Sequence, residues 1–202
     1  MNTRSRWIPA AAALLAIGLF IGFLFGRSID DAHPDEAVAA LSDSDVEFAQ
    51  HMSIHHQQAV TMVDLVGTGV AYDVRSVADQ IRTSQWREIG TLTGWLELVG
   101  APFQAADSHD SHGDHTAMAG MASNEDLTGL HDATAPEREV LFLQLMIRHH
   151  QGGIEMAAHA IDTTTNLAVR SRALSMVDGQ QQEIALMSVL LDGRGASTLP
   201  YP

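Results

Sequence analysis

One motif occurs twice in this chain, and the repeat decides what the chain can fold into. Residues 48–63 read FAQHMSIHHQQAVTMV and residues 142–157 read FLQLMIRHHQGGIEMA, with seven identities in sixteen positions at a constant offset of 94. The shared residues include Met52 and Met146, His55 and His149, His56 and His150, and Met62 and Met156. An echo follows each copy: residues 85–89 read QWREI and residues 180–184 read QQQEI, offset by 95. The repeating unit is a pair of segments, so the core has to be assembled from two versions of one two-segment block.

Each segment has the spacing of a helix that packs against others. In the first, Phe48, Met52, His55, Ala59, Met62 and Val66 alternate steps of four and three. Ser44 and Glu47 have the spacing of a capping box before it, and Gly67 and Gly69 stop it. A second helix is predicted over residues 72–99, with Val74, Ala78, Ile81, Gln85, Glu88, Leu92, Trp95 and Val99 inward and Gly100 and Pro102 behind it. Thr134 and Glu137 open a third, whose inward positions are Phe142, Met146, His149, Gly153, Met156 and Ala160. The fourth, residues 166–191, turns Val169, Ala173, Met176, Gln180, Glu183, Met187 and Leu190 inward. Four amphipathic helices joined in pairs by short connections make an all-α four-helix bundle of two duplicated hairpins over residues 44–192. A short additional helix is expected near residues 124–130, and residues 193–202 form a C-terminal tail. Gly152 and Gly153 stand where the first copy has Gln58 and Ala59, which predicts a looser helix and unequal halves.

The first 27 residues are of another kind. Residues 7–26 carry no charge, and as a helix they would be about 30 Å long, the thickness of a bilayer's hydrocarbon core. Arg4 and Arg6 precede the stretch, while Arg27, Asp30, Asp31, Asp35 and Glu36 follow it. The positive-inside bias then keeps the amino terminus in the cytoplasm and exports the remainder. The length of the run and the lack of a small-x-small cleavage site favour an uncleaved transmembrane anchor over residues 1–27, followed by a linker over residues 28–43. The alternative is a cleaved signal peptide, which gives a secreted domain.

Six inward positions of the bundle are polar: His55, His149, Gln85, Glu88, Gln180 and Glu183. Burying such groups unpartnered costs several kcal/mol each, so they satisfy one another or hold a ligand. Counting along each hairpin sets His55 within about one turn of Gln85 and Glu88, and His149 beside Gln180 and one turn from Glu183. Both sets converge at mid-bundle. The chain has no cysteine, which excludes thiolate zinc sites, iron–sulfur clusters and a thiol nucleophile, and leaves His, Met, Asp and Glu to hold any metal. A Met three residues before a His shares its helix face, pairing Met52 with His55 and Met146 with His149. Thioether with imidazole suits Cu(I), and Ag(I) by the same softness; imidazole with carboxylate also accepts Cu(II) or Zn. His56 and His150 point about 100° away from their neighbours and either complete the coordination or hydrogen-bond outward. Glu88 and Glu183 are either ligands or acceptors for imidazole N–H groups. Met62 and Met156, two turns away, are core filler or an auxiliary site. A buried His/Gln/Glu hydrogen-bond network is the rival account, and the duplication of the whole set favours metal over it.

The connector over residues 103–122 holds a second cluster. His109, His112, His115, Met118 and Met121 recur every three residues, interleaved with Asp107, Asp110 and Asp114. Few bulky apolar residues predict a mobile loop, acting as an auxiliary metal-capturing arm or as a solvated spacer. His33, His51, His131 and His159 lack repeat counterparts and are read as surface residues.

Together, the twin Met-x2-His-His motifs and the Gln-x2-Glu-Ile motifs resemble those of the domain of unknown function 305 family, which includes exported copper-binding proteins of the CopM type. The resemblance covers residues 42–191. It implies a ferritin-like four-helix bundle outside the cytoplasm that binds Cu(I), Cu(II) or Ag(I) through Met52, His55, His56 and Met62 and through Met146, His149, His150 and Met156. The leading expectation is a membrane-anchored copper buffer, resistance protein or chaperone, with a metal donor or acceptor protein whose identity the sequence does not carry. Eight Arg against 25 acidic residues beyond Arg27, a net charge near −17, draw cations towards the domain. The same balance, with no basic cluster, argues against a nucleic-acid partner. A ferritin-like redox enzyme is the alternative, but the Glu-x-x-His signature of di-iron bundles is absent from the sequence. Without a metalloprotease motif, nucleophile elbow or phosphate loop, no catalytic residue is assigned. The third expectation is an interaction module whose polar layer only fixes helix register.

Overall fold

The computed structural model describes residues 40–104 and 118–201. The anchor over residues 1–27, the linker as far as residue 39, and His109, His112 and His115 of the connector lie outside them. Five helices make up the described chain: α1 (Asp43–Val66), α2 (Tyr72–Val99), α3 (Asn124–Asp132), α4 (Ala135–Thr163) and α5 (Leu167–Asp192). Among the described residues there is no strand, and no helix is long and apolar enough to cross a membrane.

Helix ends follow their local chemistry. α2 stops at Gly100, whose left-handed φ of 67° lets its N–H turn back onto the last carbonyls. At the start of α4, the Glu137 carboxylate accepts from the Thr134 N–H and hydroxyl. The cap of α1 differs from the expected Ser44–Glu47 pair. Ser42 caps the helix, and Asp45 Oδ2 accepts from the Ser42 N–H at 2.9 Å and its hydroxyl at 2.8 Å. A buried aspartate fits the tight N3 position, while Glu47, two residues on, sits in solvent.

α1 packs on α2 and on α4, α4 packs on α5, and the short α3 lies against α1 and α4. Two apolar clusters fill the interior. One joins Phe48, Ala49 and Met52 at the start of α1 to Leu92 and Leu96 at the end of α2, Ala157 and Ala160 at the end of α4, and Val169 and Ala173 at the start of α5. The other joins Met62 and Val66 at the end of α1 to Val74 and Ile81, Phe142 and Met146, and Met187 and Leu191, with Leu130 of α3. The two repeats therefore run antiparallel, α1 against α4. The inward stripe of α2 drifts from its expected course: Ile89 and Leu96 take fully inward places, Glu88 and Trp95 are partly buried beside them, and Val99 is exposed. A straight helix has 3.6 residues per turn, so a three-and-four stripe slides off the buried face within four turns. The tail is also packed. Ala196 and Leu199 rest on the second cluster, Gln144 Nε2 donates to the Ser197 carbonyl, and the Tyr201 hydroxyl donates to Glu155.

Candidate metal centre

Between the two apolar clusters lies a layer of four buried histidines, His55 and His56 on α1 and His149 and His150 on α4. Antiparallel pairing brings the midpoints of α1 and α4 together, so the His55 and His149 rings stack with centroids 3.8 Å apart. Their neighbours, turned about 100° round each helix, face the hairpin partners instead. His150 Nε2 lies 2.7 Å from Glu183 Oε2 on α5, and His56 Nε2 lies 2.7 Å from Glu88 Oε2 on α2, the latter without hydrogen-bond alignment. The glutamates thus serve the flanking histidines, where the hairpin count had set them beside His55 and His149.

The acceptors fix three tautomers. His149 Nε2–H donates to the His55 carbonyl at 3.0 Å, His55 Nε2–H to the Ala119 carbonyl at 3.1 Å, and His150 Nε2–H to the Glu183 carboxylate. Nδ1 of His55 and of His149 is then the nitrogen left without a proton, and all four Nδ1 atoms of the layer are buried without a partner. Burial, reinforced by His56 and His150 and opposed by the Ala119 hydrogen bond, pulls the His55 imidazole down to about 3. Burial, followed by the charges of His55, His150 and His56, also holds His149 well below its ordinary value. Both rings are neutral at neutral pH. An imidazole whose N–H is held by a carbonyl or carboxylate and whose other nitrogen is bare is the form that ligates metal.

The methionines bracket this layer. Met52 and Met62 are fully buried on either side of His55, and Met146 is fully buried on α4, while Met156 is half-buried. Met52 shares a cluster with Met156 and Met62 shares one with Met146, so the fold associates each repeat's early methionine with the other repeat's late one. Gln85 and Gln180 are buried, with Gln85 Oε1 and Gln180 Nε2 unpartnered. Glu183 also accepts from the Ser84 hydroxyl at 2.9 Å, tying α2 to α5 through the layer. Among the described residues, no three His, Asp or Glu side chains converge as they stand on one metal-sized point. A soft ion held by paired imidazole and thioether donors is the chemistry this donor set suits.

The glycine pair does not loosen α4, which runs unbroken through it. A Cβ on Gly152 would overlap the Ala119 carbonyl and lie 2.9 Å from Gly120 N, and one on Gly120, at φ 74°, would overlap the Arg148 carbonyl. The backbone of residues 118–122 therefore lies directly against α4. From the other side, Gln58 Nε2 donates to the Ala122 carbonyl at 2.8 Å and its Oε1 accepts from Ala122 N–H at 2.7 Å. Gly153 leaves room for the Gln180 amide, whose Nε2 would lie 2.9 Å from a Cβ there. This part of the connector is a strap over His55, with Met118 half-buried and Met121 buried beneath it, where a mobile loop was expected.

Sequence reasoning also passed over His51 and His159. Both have exposed surface, as expected, yet they line one groove together with Met156. Only the antiparallel pairing of α1 with α4 reveals this, since the residues are more than a hundred positions apart in the chain.

Comparison with known proteins gives a consistent picture. The family described as Domain of unknown function (DUF305) matches residues 45–191. A solved structure described as "putative secreted protein DUF305 from Streptomyces coelicolor" is 35% identical, with a TM-score of 0.71, covering 78% of this chain and 98% of that one. A DUF305 fragment from Deinococcus radiodurans is 31% identical, with a TM-score of 0.68, covering 75% and 97%. CopM in its Cu(II)-bound form is 25% identical, with a TM-score of 0.60, covering 74% and 96%. No curated protein matches the chain.

Proposed function

The chain belongs to the DUF305 family, and from that premise we propose that it is a copper-binding protein of the extracytoplasmic space, a buffer or chaperone rather than an enzyme, on a ferritin-like bundle. The observation that carries this is the histidine layer: four buried, unpartnered imidazole Nδ1 atoms, with Nε2 of three rings held by carbonyl or carboxylate oxygen. His55, His56, His149 and His150 supply nitrogen donors, Met52, Met62 and Met146 supply thioethers close by in the fold, and Met156 lies further out, where α4 ends. Glu183 orients His150 through a hydrogen bond, and Glu88 sets its carboxylate beside His56. Copper as the cargo, with silver and zinc as competitors, is supported by the donor chemistry and by the copper bound to CopM. An extracytoplasmic place is supported by the likeness to a protein described as secreted and by the uncharged run at residues 7–26, which also supports membrane anchoring.

The test is copper uptake by the full chain, loaded with Cu(I) without oxygen and separately with Cu(II), against His55→Ala combined with His149→Ala. Loss of bound copper from a still-folded variant is the expected result, and unchanged stoichiometry refutes the mid-bundle centre. Among the described residues no three His, Asp or Glu side chains converge as they stand, which favours one rival, a ligand-free network that fixes helix register. Thermal melting separates the two. An ion that binds the folded form at a hundred times its Kd adds about 2.7 kcal/mol of stability, and a ligand-free network adds none.

A further inference from the structure

The duplication makes each end of the α1/α4 pair a template for the other, and the two ends differ in one place. Where α1 begins and α4 ends, a groove of about 140 Å³ opens between them, lined by Glu47, Phe48, His51, Met156 and His159 among others. Its floor is duplicated: at the repeat offset of 94, Phe48 and Met156 correspond to Phe142 and Met62. Its rim is not. Glu47, His51 and His159 correspond to Leu141, Leu145 and Leu65. At that opposite end Leu145 is fully buried, Leu65 and Leu141 pack on the core, and α3 covers the surface through Leu130 and Leu127. At the groove end no described helix takes the place of α3.

A surface released from a covering helix needs only polar residues to be soluble, and any polar residues would serve. This rim has two imidazoles on facing helices above a half-buried thioether, with Glu47 3.9 Å from His51 Nδ1. The side chains of His51 and Glu47 are 41% and 68% exposed, so both are free to turn into the groove. Soft neutral donors of this kind select Cu(I) over the hard ions that carboxylates and carbonyls hold. Met156 also packs against the apolar cluster that holds Met52, one turn from His55, so that cluster lies between the groove and the histidine layer.

We propose that His51, His159 and Met156 form a Cu(I) site at the rim of the α1/α4 groove, separate from the mid-bundle layer and placed to pass the ion inward through Met52. Glu47 raises the local cation concentration there without being a fixed ligand. The choice of metal rests on the copper-binding function proposed above; the site itself rests on the groove and on the broken repeat symmetry.

The test is anaerobic Cu(I) titration of the full chain against a chromophoric Cu(I) chelator, with Ag(I) as a redox-silent probe of imidazole NMR signals. His51→Leu with His159→Leu installs the residues the other repeat already carries, and His51→Gln with His159→Gln guards against association through new leucines. Both double variants are expected to bind one Cu(I) fewer than the parent chain and to load the remainder more slowly. The His51 and His159 signals should shift with Ag(I) even when His55 and His149 are both alanine. Full stoichiometry in the Gln variant, or His51 and His159 signals unmoved by Ag(I), overturns the rim site while leaving the mid-bundle centre standing. Failure of the parent chain to take up any Cu(I) overturns both.

Discussion

Replacing Gly152 by alanine tests the strap most directly. In an exposed helix interior this change is stabilising by about 1 kcal/mol. At Gly152 the new methyl group would overlap the Ala119 carbonyl, which is backbone and has no rotamer to escape into. Residues 118–122 must lift. Three hydrogen bonds then go, one donated by His55 Nε2, one donated by Gln58 Nε2 and one accepted by Gln58 Oε1, at about 0.5–1.5 kcal/mol each. The partly lost burial of Met121 and Ala122 adds roughly 1 kcal/mol. Set against the helix gain, the net loss is about 2–4 kcal/mol, or a fall in Tm of roughly 6–12 °C for a domain of this size. Gly179→Ala is the control: it lies inside α5, and a Cβ there meets nothing within 4 Å, so its Tm should rise by a few degrees. Thermal melting followed by circular dichroism gives the comparison, and hydrogen exchange at the Ala122 N–H reports the strap itself. A Gly152→Ala protein that melts at or above the parent temperature, with Ala122 still protected, refutes the close approach of strap and helix.

Three further outcomes follow from the polar contacts. The unfolded imidazole titrates near 6.5 and folded His55 near 3, with His149 shifted the same way, so the unfolded metal-free chain binds more protons between those values. Stability is then full above pH 6.5 and falls as pH drops, by about 2–4 kcal/mol between pH 7 and pH 5; urea unfolding that is flat across this range contradicts the buried neutral layer. Glu183→Gln weakens the carboxylate that holds His150 Nε2 and should reduce copper affinity roughly 10–100-fold with the fold intact, read by chelator competition. Arg194→Ala removes a guanidinium that pairs Asp73 at the start of α2 with Glu139 on α4 and should lower stability by about 1 kcal/mol, seen as a Tm lower by roughly 2–4 °C.

Features that depend on one helix at a time were legible in the sequence. The span of α2 and the inward stripe of α1, from Phe48 to Val66, follow from spacing and from the glycines that end each helix. The twin His-His motifs pointed to the histidine layer for the same reason. Features that depend on which helices meet were hidden. Spacing places Glu88 near the middle of the bundle but does not say that it serves His56 while His55 turns to His149, because that choice is made by the antiparallel contact of α1 with α4. The strap was hidden for a different reason. Its anchors are backbone carbonyls and N–H groups, which every residue carries, and its only side-chain traces are Gln58, Gly120 and Gly152. A glycine inside a helix reads as a weak point until the neighbouring backbone that needs the space is known.

The strap and the groove give one physical account of why two copies of a hairpin have diverged. A symmetric pair of hairpins would present the same two open ends and two equivalent histidine faces. Here Gln58 and Gly152 occupy equivalent repeat positions, one clamping the strap by its amide and the other yielding space to the strap's carbonyl. Neither residue can do the other's work, so the strap settles over His55 and not over His149. The connector that follows leads into α3, which seals the end lined by Leu65, Leu141 and Leu145. The open end keeps His51 and His159. Asymmetry therefore gives the histidine layer one covered side and, beyond an apolar cluster, a methionine-floored groove. A variant that restores symmetry at position 152 by Gly152→Gln should lift the strap, read as loss of hydrogen-exchange protection at the Ala122 N–H that Gln58 now holds.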